Sequence, residues 1–188
     1  MKQTSFFTKS RWSLLVVGLL VVAVTYEVGY YSHTLNDGLL DIHYSSEPIL
    51  WTTAIQMAIL TILSTIIGIE GLALAFDRNF DAIKLLGHLL IARWPLLIAS
   101  LCGFFMYSDI QAYTQSILKD PSLVFSTMPL DFIVLTIISL LAVIAVFFLT
   151  YFAVKRNTTM KKGNLALTSI MGLIIGEAIW KILAHFFL

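Results

Sequence analysis

Apolar residues fall along the chain in five long runs, at about 12–31, 49–76, 85–107, 130–154 and 165–187, with short polar stretches between them. Within each run they continue nearly all round, without the strict alternation of a membrane β-strand. About 20 mostly apolar residues cross the roughly 30 Å hydrocarbon core as a helix, which satisfies its own backbone hydrogen bonds there. The pattern predicts an all-α membrane protein: a five-transmembrane-helix bundle, with 1–188 as one integral membrane domain. The first run follows basic residues, as in a signal peptide. Its length and the lack of a small-x-small closure predict an uncleaved anchor instead. The second run opens after Glu47-Pro48, a good helix entry. Its length exceeds the bilayer requirement and predicts tilt or a projecting end.

Loop charge predicts the orientation. Lys2, Lys9, Arg11, Arg78, Lys84, Lys155, Arg156, Lys161 and Lys162 lie on one side if five spans alternate. The opposite loops hold one basic residue, Lys119, together with Asp37, Asp41, Glu47, Asp109 and Asp120. Positive residues stay inside, so the amino terminus is expected in the cytoplasm and the carboxyl terminus outside. The outer loop at 32–48 has turn chemistry in Asn36-Asp37-Gly38 and is expected to be solvated. In the other outer loop, 109–118 is expected to form a short amphipathic helix at the interface.

Composition works by exclusion. The chain is 59% hydrophobic and 12% charged, against roughly 45–50% and about 25% in soluble domains. Its net charge of +1 gives no field to attract nucleic acid. Cys102 is alone, so neither an intramolecular disulfide nor a cysteine zinc site is available. There is no G-x-S-x-G, H-E-x-x-H or P-loop, so no enzyme activity and no cofactor is expected. His33, Asp37, Asp41 and His43 are metal-capable, but their irregular spacing reads as a solvated loop rather than a metal site.

Ionisable groups at membrane depth are costly and are the first place to look for function. They are Glu27, Glu70, His88, Arg93, Glu177 and Lys181. Counted from the loops, Glu70 and Arg93 are expected to pair across a hairpin with His88 nearby. Glu177 and Lys181 stand four apart in the favourable order, with Glu27 at similar depth. Such a set reads either as helix-register locks or as a polar path for protons or ions. Lys181 also has the reach to snorkel outward.

Pro95 removes a backbone donor, so span three is expected to kink near Ile91, as a hinge or a static bend. Gly172 and Gly176 form a GxxxG match, a packing face for this chain or for a second copy. Lys155, Arg156, Lys161 and Lys162 are candidates for anionic headgroups.

From Phe76 onward the pattern resembles the carboxyl-terminal part of the Yip family, membrane proteins named for interaction with Ypt/Rab GTPases. The resemblance rests on Asp77-Arg78-Asn79-Phe80-Asp81, on Leu89-Leu90-Ile91-Ala92-Arg93-Trp94-Pro95-Leu96-Leu97 and on Pro129-Leu130-Asp131-Phe132. A long apolar span, a lysine-rich turn and a final span follow. It implies five spans with the termini placed as loop charge places them, in a bacterial-type member. Eukaryotic members carry a long cytosolic amino-terminal region and an acidic-tyrosine-glycine-proline motif. Neither stands here, so Rab binding is not carried over.

The function expected is that of a non-enzymatic bacterial inner-membrane protein, a structural or accessory subunit. Its partners would be the lipid bilayer and a membrane protein or a second copy. The rival readings are a proton- or ion-coupled transporter subunit and a lipid-handling protein.

Overall fold

Ser10 accepts a hydrogen bond from the backbone N–H of Ser13 and so opens the first helix, α1 (Arg11–Ser32). In the computed structural model, residues 10–45, 49–124 and 128–188 are described. Lys2, Lys9, Glu47 and Pro48 lie outside them, as do the side chains of Tyr107 and Asp109. The chain continues through β1 (Thr34–Leu35), β2 (His43–Tyr44), α2 (Trp51–Thr65), a π-helical turn (Ile66–Glu70) and α3 (Gly71–Phe76). Then come α4 (Ala82–Ile91), α5 (Trp94–Lys119), a short 3-10 turn (Pro121–Leu123), α6 (Leu130–Asn157) and α7 (Lys162–Phe187). Among the described residues, five spans are long and apolar enough to cross a membrane: Arg11–Ser32, Trp51–Phe76, Ala82–Met106, Leu130–Asn157 and Lys162–Phe187. The chain is an integral membrane protein with an all-helical spanning region.

Glycine sets how closely two pairs of spans approach. A Cβ on Gly18 of α1 would stand 2.8 Å from the Gly87 carbonyl of α4. One on Gly68, in the π-turn, would stand 2.5 Å from the Gly172 carbonyl and 2.6 Å from the Gly176 amide. The GxxxG face therefore packs inside this chain, against a helix it meets at backbone range.

Span three breaks rather than bends. α4 stops at Ile91, Ala92 and Arg93 form a turn, and α5 restarts with Pro95 in its first turn. Proline is tolerated there because that N–H has no helical acceptor. Beyond the span, α5 runs unbroken to Lys119. The separate interfacial helix expected at 109–118 is the end of this long helix, since nothing in 107–118 is a helix breaker.

Polar side chains tie the ends of the bundle. At one end Asp77 accepts from the N–H of Thr159 at 2.7 Å and its hydroxyl at 2.9 Å, joining the turn after α3 to the turn before α7. Those backbone and hydroxyl donors hold the Asp77 carboxyl below its usual range. Arg11 reaches Asp81 at the same end, at 3.9 Å. At the other end, Gln56 donates to the Phe187 carbonyl at 3.2 Å.

Candidate functional site

The segment after α1 is the main departure from the sequence reading. His33 takes a left-handed conformation (φ 54°) and turns the chain back on itself. Thr34–Leu35 and His43–Tyr44 pair as a two-residue antiparallel ladder. Between them residues 36–42 do not form a solvated loop. They descend into the bundle as a re-entrant strap, and Leu39 is 1% exposed in a core cluster with Ile69 and Leu173.

The depth of the strap follows from its partners. Glu177 is ten residues from the end of α7 and Thr61 ten from the start of α2. Each is therefore about 15 Å from that end of its helix, well inside a span of 26 residues. Irregular backbone survives at such depth only where protein supplies its hydrogen bonds. Here two charges supply them. Arg93, 3% exposed, donates to the carbonyls of Gly38 at 2.8 Å and Leu39 at 3.2 Å. Glu177 accepts from the N–H groups of Leu39 at 2.6 Å and Leu40 at 3.0 Å. Gly38 allows this, because a Cβ there would collide with the Glu177 carboxylate. Gly176 allows it too, since its own Cβ would collide with Leu39.

Neutral groups complete the seat. The Tyr26 hydroxyl donates to the Asn36 carbonyl at 2.6 Å and also meets Thr61. The Asn36 amide donates to Ser100 at 3.1 Å. The helix break at Ala92–Arg93 frees Arg93 to face the strap rather than continue a helical ladder. Asn36 was read in the sequence only as a turn residue, and Tyr26, Thr61 and Ser100 were not singled out as site residues. The one signal of these three was a hydroxyl, which in a membrane helix often bonds back to its own helix instead.

Above the strap lies an ionic cluster. Lys181 Nζ stands 2.8 Å from Asp41, 3.3 Å from Asp37 and 3.9 Å from Glu177. His43 Nδ1 is 3.1 Å from Asp37 and 3.4 Å from Asp41. The bond to Asp37 pushes His43 above its usual value, against the effect of burial. Burial raises Asp37, but His43 and Lys181 outweigh it and leave the carboxyl below its usual range. Asp37, Asp41 and His43 are close enough to share a metal ion, yet Lys181 already supplies a cation between the two carboxylates. His33, the fourth member of the sequence cluster, is the cap of α1.

Three pairings expected from sequence are corrected. Glu70 does not meet Arg93: it lies six residues from Phe76, while Arg93 lies eleven from Ala82. That is a difference in depth of about 7 Å. His88 joins neither. Its Nδ1 lies 2.9 Å from the Lys84 carbonyl and 3.2 Å from the Asn157 amide. Glu27 is exposed on α1 and forms no ion pair among the described residues, because it points away from the strap into an apolar groove with Ala54, Ala58 and Trp51.

Glu70 itself is 6% exposed, in the π-turn, and its Oε1 has no hydrogen-bond partner among the described residues. Lys155, Arg156, Lys161 and Lys162 are exposed around the turn between α6 and α7. Among known proteins, no family model, no curated protein and no solved structure matches the chain.

Proposed function

We propose that this chain is a non-enzymatic structural or accessory subunit of a bacterial inner-membrane assembly, with its amino terminus cytoplasmic and its carboxyl terminus outside. One observation carries the reading. Arg93 and Glu177, the two charges central to the bundle, are both engaged by the backbone of residues 38–40. Charges bound to fixed backbone hold a shape, whereas a conduction path needs groups that exchange partners. The orientation rests on the loop charges. The likeness of 76–188 to the Yip family is part of the same reading. The exposed lysines and arginine around the α6–α7 turn suit anionic lipid headgroups.

The test is purification from native membranes into nanodiscs, with mass spectrometry of everything that co-migrates. A stoichiometric membrane-protein partner is the expected result. The protein found alone, with an intact fold, overturns the reading.

A second reading, a proton-coupled subunit, is favoured by one observation: the buried Glu70 carboxyl has no cationic partner among the described residues. Reconstituted vesicles that carry a proton flux lost in Glu70→Gln would support it over the first.

A further inference from the structure

We propose that Glu70 is a proton-binding site inside the spanning bundle, holding its proton in the packing described above and exchanging it when its π-helical turn opens. The proposal does not rest on the accessory-subunit reading.

Three observations carry it. First, Glu70 is removed from water, its carboxyl lies against the backbone of Leu86 in α4, and Oε1 has no hydrogen-bond partner among the described residues. Second, no charged side chain of the elements packed on it forms an ion pair with it. On α4, His88 bonds to the Lys84 carbonyl and Asn157, and Lys84 makes no ion pair with Glu70. Below α3, Asp77 is held by Asn79 and Thr159. On α7, Glu177 and Lys181 engage the strap and the cluster above it, while Lys162 is exposed at the helix start. A carboxylate in such a place has neither solvent nor cation. The neutral acid avoids that cost and gains an O–H to donate.

Third, the turn that carries it is not α-helical. Gly68, Ile69 and Glu70 are consecutive and all buried. Three successive residues of an α-helix fan out over about 200°, at 3.6 residues per turn, so one face cannot bury all three by itself. The widened π-turn, with Gly68 set against Gly172 and Gly176, brings Ile69 and Glu70 inward together. Relaxation of this turn to α geometry would rotate Glu70 out of its seat. Single π-turns inside α-helices are frequent at functional sites.

The test uses the intact protein in nanodiscs and a lipid-soluble carbodiimide, dicyclohexylcarbodiimide. The protonated acid gives its proton to one carbodiimide nitrogen while the carboxyl oxygen bonds to the central carbon. The acyl group then migrates to nitrogen as a stable acylurea, with no leaving group and no redox change. The expected result is an adduct on the peptide containing Glu70. Its rate should fall about tenfold per pH unit above the site's titration, as the protonated fraction does. The carboxylic-acid C=O band in the infrared should be present in the wild type and missing in Glu70→Gln. If that variant does not fold, the wild-type band and the pH profile of labelling still decide. No carboxylic-acid band, or no adduct on Glu70 at any pH in a folded sample, overturns the proposal.

Discussion

Glu177 and Glu70 are the same side chain at membrane depth in two different settings. Glu177 accepts two backbone N–H groups and has Lys181 within 3.9 Å. Glu70 has a free oxygen and no ion pair among the described residues. The first environment rewards charge, because donors and a cation already point at it. The second penalises charge, because removal from water is offset by no cation and by little more than the backbone of Leu86. The two glutamates thus differ in role for reasons that lie outside the residue: one pins a re-entrant strap, the other is suited to a proton.

The comparison can be broken most severely at Arg93. Arg93→Met should leave the buried carbonyls of Gly38 and Leu39 without their donor. A loss of about 2–6 kcal/mol is expected, about 1–3 for each buried carbonyl left unpaired, read as a lowered thermal midpoint in nanodiscs. Next comes the pair of isosteric changes. Glu177→Gln should cost about 1.5–3 kcal/mol, the range for hydrogen bonds to a charged group. Glu70→Gln should stay within about 0.5 kcal/mol, since a neutral amide resembles a neutral acid. Melting both variants side by side sharpens the contrast, and equal losses would erase it.

Gly68→Val tests the support beneath Glu70. Its side chain would meet the backbone of Gly172 and Gly176, which cannot move aside as a flexible side chain would. About 1–3 kcal/mol of destabilisation is expected, with faster carbodiimide labelling of Glu70 as the turn loosens.

The smallest effect is pH dependence at the cluster above the strap. His43 is raised from 6.5 by Asp37, so its contribution is present in full below that value. It is lost as pH rises through the higher folded value. Asp37 is lowered from 3.8, so its contribution is present above that value and disappears as pH falls through the lower folded one. Between these limits the pair adds about 0–1 kcal/mol, as half-exposed ion pairs do. Melting curves of His43→Gln against pH should lose the decline that the wild type shows on the alkaline side.

The five spans were legible in the sequence because membrane burial is decided run by run: 12–31 was expected where Arg11–Ser32 is found, and 165–187 where Lys162–Phe187 is. The break before Pro95 was legible for a similarly local reason. The strap was not, since the Leu39 amide meets a carboxylate 138 residues away. Leu39, Leu40 and Ile42 were its one trace, an apolar set inside a stretch otherwise rich in turn residues. The π-turn left no trace at all, for Ile66-Ile67-Gly68-Ile69 is as apolar as the helix on either side. Pairing Glu70 with Arg93 matched opposite charges without matching their depths.

Hydrogen exchange of the strap amides tests the central claim most directly. Exchange at Leu39 and Leu40 should be slow in the wild type and in Glu70→Gln, and much faster in Glu177→Gln, whose amide oxygen carries no charge. Strap amides that exchange in the wild type as fast as those of an open loop would contradict the account.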